Sequence, residues 1–92
     1  MKNERIHAII KGKVQGVCYR METRRAAIKM GVNGWVRNLK DGSVEAVFEG
    51  DESAVNQLLK WCWQGPASAK VENIETQKED YLNEFNSFDI TY

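Results

Sequence analysis

Residues 32–50, Val-Asn-Gly-Trp-Val-Arg-Asn-Leu-Lys-Asp-Gly-Ser-Val-Glu-Ala-Val-Phe-Glu-Gly, decide the fold. Two β-rich segments, Val32 to Asn38 and Ser43 to Gly50, flank Leu39-Lys40-Asp41-Gly42. Asp-Gly is a strong hairpin signal, because glycine enters the positive-φ backbone of a tight turn without steric penalty. In the second arm Val44, Ala46 and Phe48 alternate with Glu45, Val47 and Glu49, which predicts a strand with one buried face. In the first arm Val36 and Asn38 share a face opposite Trp35 and Arg37. Asn38 closes that arm at the turn, where a polar side chain is an ordinary turn former and by itself carries little information.

Working outward, a helical pattern lies on either side of the hairpin. Upstream, Tyr19, Thr23, Ala26, Ala27 and Met30 recur at helical spacing with Glu22, Arg25 and Lys29 opposite, and Gly31 supplies a left-handed stop, so the spacing predicts a helix over 19–30. Downstream, Asp51 can cap a helix whose stripe is Val55, Leu58, Leu59 and Cys62, ended by Gly65-Pro66, with Trp61 and Trp63 as flanking aromatics. Residues 5–11 alternate, Ile6, Ala8 and Ile10 against Arg5, His7, Ile9 and Lys11, and read as a half-buried first strand. Residues 69–77 read as an irregular, bulged strand holding Val71 and Ile74, 78–84 as a polar connection, and Phe88, Ile90 and Tyr92 as a last strand. The order is β-α-β-β-α-β with an extra C-terminal strand. Two split β-α-β units predict a ferredoxin-like α+β sandwich, an antiparallel sheet with two helices on one face. In that topology the first two strands run the same way, which brings Asn38 to the segment that joins the first strand to the first helix.

That segment is Gly12-Lys13-Val14-Gln15-Gly16-Val17-Cys18-Tyr19-Arg20. Its two glycines permit a tight loop whose N–H groups converge on one spot, and a helix opening near Tyr19 adds free N–H groups and partial positive charge. Arg20, in the first helical turn, carries a planar fork of donors suited to two phosphate oxygens. From these nine residues alone, a plain strand-to-helix connection with a solvated arginine is an equal reading.

Composition narrows the classes. Ninety-two residues make one domain, 1–92, with an expected stability of roughly 5–14 kcal/mol. Thirteen basic residues balance thirteen acidic ones, which argues against a general nucleic-acid binder. The opening MKNERIH has no apolar core of a secretion signal and no long apolar run follows, so the expected address is the cytoplasm, with no membrane partner. Cys18, Cys62 and the single His7 have no metal-type spacing, which predicts free thiols and no structural metal. His7 on a strand face is a packing residue more readily than a general base.

The blocks GKVQGVCYR at 12–20, GWVRN at 34–38 and DGSVE at 41–45 together resemble the two signature blocks of the acylphosphatase family, and the resemblance extends over the whole chain in length and element order. It implies hydrolysis of a small-molecule acyl phosphate to a carboxylate and inorganic phosphate; no metal or cofactor is expected, and the expected state is a monomer. By position it implies that Arg20 binds phosphate and Asn38 positions the water. Val14, Gln15, Gly16, Val17 and Cys18 would form the backbone cradle, with Tyr19 at the helix opening. Cys18 departs from the family, which often has an aromatic residue or glycine there. The backbone role is untouched, and the thiol becomes an oxidation-sensitive spot. Such chemistry suits a spare site, because a carboxylate is a good leaving group and a loose phosphoryl transition state asks mainly for positioning and charge stabilisation.

Three other readings stay open on sequence. Cys18 and Arg24 have the five-residue separation of cysteine-dependent phosphatases, although there the anion loop follows the cysteine. A ferredoxin-like sheet can bind RNA through aromatic residues of its central strands, yet His7, Ile9, Glu45, Val47 and Glu49 form an acidic surface without a stacking pair. A regulatory module with the fold and no activity is the third, against which both Arg20 and Asn38 argue. A chain-terminal carboxylate at Tyr92 is a candidate partner that would orient Arg20.

Overall fold

The computed structural model describes residues 2–92. In chain order its elements are β1 (Asn3–Lys13), α1 (Tyr19–Met30), β2 (Asn33–Asn38), β3 (Val44–Asp51), α2 (Glu52–Gln64), β4 (Lys70–Glu79) and β5 (Phe88–Ile90). The sheet order is β4-β1-β3-β2-β5, with α1 packed on β2 and β5 and α2 on β1, β3 and β4. This is the expected ferredoxin-like α+β sandwich with its extra C-terminal strand.

The alternating patterns have the predicted faces. Ile6, Ala8 and Ile10 of β1, Val36 of β2 and Val44, Ala46 and Phe48 of β3 are buried against Tyr19 and Ala27 of α1 and Val55, Leu58 and Cys62 of α2. Each large aliphatic or aromatic side chain taken fully out of water contributes about 1.5–3 kcal/mol. Tyr19 has its hydroxyl donate to the Cys62 carbonyl oxygen at 2.6 Å, so its one polar atom is satisfied inside. Burial raises the phenol far above its ordinary range and pushes the Cys62 thiol up to about 12, which leaves that cysteine a small hydrophobe. Helix α1 spans the predicted residues and stops at Gly31 with φ 74°. At α2 the Asp51 carboxylate accepts from the Ala54 N–H at 3.4 Å.

The differences have physical causes. Gly12 belongs to β1, not to the loop: with φ 127° it faces β4 so closely that a Cβ would lie 2.2 Å from the Lys70 carbonyl oxygen. The predicted bulge sits opposite it, where the pairing of β1 with β4 slips between Lys11 and Gly12. Strand β4 continues to Glu79, shortening the polar connection. The sheet is antiparallel except at β5, which pairs in parallel with β2 over Gly34, Trp35 and Val36 and ends before Tyr92. β4 and β5 lie at opposite edges of the sheet, and residues 80–87 connect them across the helix-free face. There Glu49, only 2% exposed, accepts from the Leu82 N–H at 3.1 Å and the Glu84 N–H at 2.9 Å. Arg5 pairs with Glu79 at 2.9 Å and Glu84 at 2.6 Å and lies over the Phe85 ring, while Asn33 Nδ2 donates to the Phe85 carbonyl oxygen. The Glu49 end of the acidic strand face is thus covered, not solvated.

Candidate functional site

The connection from β1 to α1 is held in the core by two apolar side chains and leaves backbone N–H groups free. Val14 and Val17 are buried in the core, at 1% and 8% exposure. Between and after them the chain takes left-handed backbone twice, at Gly16 (φ 74°) and Cys18 (φ 63°, ψ 23°). A Cβ on Gly16 would meet nothing within 4 Å, so glycine is there for its backbone and not for space. Cys18 has a side chain and therefore carries roughly 1–2 kcal/mol of strain, which a surrounding structure must hold in place. The first bond of α1 runs from the Glu22 N–H to the Cys18 carbonyl oxygen at 3.0 Å, and no side chain caps the helix. Among the described residues, the N–H groups of Gly16, Val17 and Cys18 meet no acceptor. Uncapped N–H groups at a helix N-terminus following a left-handed turn form a concavity that favours an anion.

Arg20 stands beside that concavity. Its guanidinium carbon lies 5.4 Å from the centre of the Tyr92 ring, and among the described residues no carboxylate comes within ion-pairing distance of it. The expected orienting carboxylate is therefore replaced by an aromatic face, which holds a guanidinium without occupying its in-plane donors. Asn38 is the last residue of β2, opposite Val44 in the register with β3. Its Oδ1 is buried and, among the described residues, has no donor to serve it. A buried acceptor left unmet costs about 1–3 kcal/mol, so its retention points to a partner supplied from outside the chain.

These groups share one cavity of about 420 Å³, lined by Val14, Gly16, Cys18, Tyr19, Arg20 and Asn38. Met21, Ile90 and Tyr92 complete its wall. The topology thus brings together the loop, the arginine and the asparagine that the sequence singled out. Two loop residues turn their side chains elsewhere: Val17 into the core, and Gln15 to the hairpin, where its Nε2 donates to the Leu39 and Ser43 carbonyl oxygens at 2.7 and 2.8 Å. That contact has no periodic signature and is absent from the sequence reading. The hairpin turn is further closed by Asp41, whose carboxylate accepts from the Ser43 hydroxyl and N–H; those bonds hold its pKa below the ordinary range.

The competing constellations come apart. Arg24, the would-be partner of a nucleophilic Cys18, donates from Nε to the Phe88 carbonyl oxygen at 3.0 Å and thereby docks β5 on α1. His7 contacts Glu45 at 2.8 Å, and Glu45 also accepts from Arg37 at 2.6 Å. Burial works against the charged Glu45, but the hydrogen bonds from His7 and Arg37 outweigh it and hold the carboxyl below its usual range. Among the described residues no three His, Cys, Asp or Glu side chains gather as a metal site, and no helix is long and apolar enough to cross a membrane.

Comparison with known proteins decides the family. The acylphosphatase family model matches residues 6–90. The chain belongs to the acylphosphatase family. It is similar to the acylphosphatase of Pelotomaculum thermopropionicum, 50% identical over 92 residues that cover all of both chains. The acylphosphatase of Syntrophus aciditrophicus is 54% identical over 89 residues, which cover 97% of this chain and 93% of that one. Among solved structures, the crystal structure of acylphosphatase from Bacillus subtilis superposes with a TM-score of 0.93 at 32% identity, covering 97% of this chain and 99% of the other. The likeness to acylphosphatases thus runs through both helices and all five strands.

Proposed function

We propose that the chain hydrolyses the carboxyl–phosphate bond of small-molecule acyl phosphates, with the loop 14–18 and Arg20 binding the phosphoryl group and Asn38 positioning the attacking water. Family membership makes the protein a hydrolase of acyl phosphates; the residue roles rest on geometry. The observation that carries them is the meeting, in one cavity, of unmet N–H donors, an arginine free of any carboxylate and a buried carboxamide oxygen without a donor.

Two phosphoryl oxygens accept from the guanidinium of Arg20, and the others from the N–H groups of Gly16, Val17 and Cys18 and the first turn of α1. The Asn38 Oδ1 accepts from the water, fixing its oxygen in line with the bond that breaks. The new P–O bond forms as the bond to the carboxyl oxygen opens, its electron pair leaves with the carboxylate, and the water's proton passes to a phosphate oxygen or to solvent. Fixed donors aimed at the spreading negative charge supply the stabilisation, and no strong general acid is needed for so weak a base as a carboxylate. The same reading takes the enzyme as a monomer with no nucleic-acid partner, and the two free thiols fit a reducing cytoplasm.

The test is turnover of benzoyl phosphate against an aryl phosphate monoester with a chelator present. Hydrolysis of the first and not the second is expected; comparable monoester turnover, or loss of all activity on replacing Cys18 with serine, would favour the thiolate route.

A further inference from the structure

We propose that Gln15 is a positioning residue that locks the phosphate-binding loop to the hairpin carrying Asn38, so that bound phosphoryl group and attacking water keep one alignment. The inference rests on the site roles proposed above and adds a role for the Gln15 side chain, which bonds the hairpin and touches neither substrate nor water. A carboxamide nitrogen has two N–H donors, and Gln15 commits both: one to the Leu39 carbonyl oxygen at 2.7 Å, the other to the Ser43 carbonyl oxygen at 2.8 Å. Leu39 follows Asn38 directly, and Ser43 precedes Val44, the residue opposite Asn38 across the sheet. The Leu39 N–H also donates to the Ser43 carbonyl oxygen at 2.9 Å, so the two acceptors are one rigid pair at the mouth of the turn. Gln15 therefore grips both strands of the hairpin one step beyond Asn38.

The other end of the grip is the anion-binding loop itself. Gln15 lies between Val14, fixed in the core, and Gly16, the first left-handed residue of the concavity. The sheet joins β1 to the hairpin only through β3, and that pairing ends at Ile10 opposite Val44, four residues before Val14. No rung of that ladder reaches residues 14–18, so the distance between the concavity and Asn38 depends on side chains that reach from the loop to the turn. A misplacement of about 1 Å in a reacting group can reduce a rate by on the order of a hundredfold. A part-buried bidentate amide is suited to preventing it.

A residue that merely stabilised the turn would change folding and phosphate affinity, not the chemical step alone. Gln15→Met keeps the length and removes both donors. In that variant kcat on benzoyl phosphate should fall by roughly ten- to a hundredfold. Inhibition by inorganic phosphate should weaken by less than about threefold, since the backbone donors remain. Combined with Asn38→Ala it should cost no further turnover, because the group being positioned is already gone. Wild-type kcat in Gln15→Met, phosphate affinity lost in parallel with kcat, or the same fold-loss repeated in the Asn38→Ala background would each overturn the proposal.

Gln15→Glu provides a second arm, decisive if the methionine variant does not fold. An ionised carboxylate faces two carbonyl oxygens with no donor, whereas the protonated acid regains one. The ratio of variant to wild-type kcat should therefore rise as pH falls through the carboxylic range, and a flat ratio would contradict the grip. Wild-type turnover in Asn38→Ala alone would instead overturn the site roles on which the inference rests.

Discussion

Two stretches of irregular backbone sit at opposite ends of β3, and they treat their polar groups in opposite ways. Residues 80–87 cross the sheet tied to it by paired groups: the Leu82 and Glu84 N–H groups reach one buried carboxylate, that of Glu49, and Arg5 answers Glu79 and Glu84. At the other end, among the described residues, the loop 14–18, Arg20 and Asn38 leave N–H groups, a guanidinium and a carboxamide oxygen unanswered. A folded chain satisfies almost all its buried polar atoms, so we take the saturated crossover as structural and propose the unsaturated loop as the place where a ligand binds.

The sharpest way to break this contrast is at the unsaturated end. Arg20→Ala and Asn38→Ala should each remove about 3 kcal/mol or more of transition-state stabilisation, on the order of a hundredfold in kcat/KM for benzoyl phosphate. The two should differ in kind: Arg20→Ala also loses affinity for inorganic phosphate, whereas Asn38→Ala keeps it and loses turnover. Near-wild-type kinetics in either would end the assignment.

At the saturated end the effect should fall on stability instead. Glu49→Ala strands the Leu82 and Glu84 N–H groups, and urea unfolding should show a loss of about 2–3 kcal/mol, with kcat of the folded protein unchanged. An altered kcat would mean that the two ends are coupled. Gly16→Ala is expected to be smaller, about 1–2 kcal/mol by thermal melting, because only the left-handed backbone resists a side chain there. An unchanged midpoint would mean that the loop takes another conformation.

The smallest expected effect is acid-linked. Because the folded state holds Glu45 below its ordinary range, that carboxylate adds stability above its unfolded pKa, about 4.3, and the contribution disappears as pH falls through the lower folded value. Glu45→Gln should therefore reduce the difference in urea midpoint between pH 7 and pH 3, and an unaltered difference would remove Glu45 from the account of acid sensitivity.

Much of this was legible in the residues because it is periodic or local. The alternation of Val44, Ala46 and Phe48 gave the buried face of β3, the spacing from Tyr19 to Met30 gave α1, and Asp41-Gly42 gave the turn. The topology those elements imply then puts Asn38 beside the loop. What escaped were single long-range bonds that leave no pattern: Gln15 on the hairpin, Arg24 on the Phe88 carbonyl, and Glu49 under the crossover. Gly12 misled for a related reason, since a glycine between a strand and a loop serves equally for a turn or for close approach of a neighbouring strand, here β4.

The most direct test of where the unanswered donors act is a titration of isotopically labelled protein with inorganic phosphate, followed by amide NMR. The amides of residues 16–20 should shift together and saturably, those of 80–87 should stay still, and Arg20→Ala should abolish the response. Saturable shifts centred anywhere else, or a response that survives Arg20→Ala, would contradict the central claim.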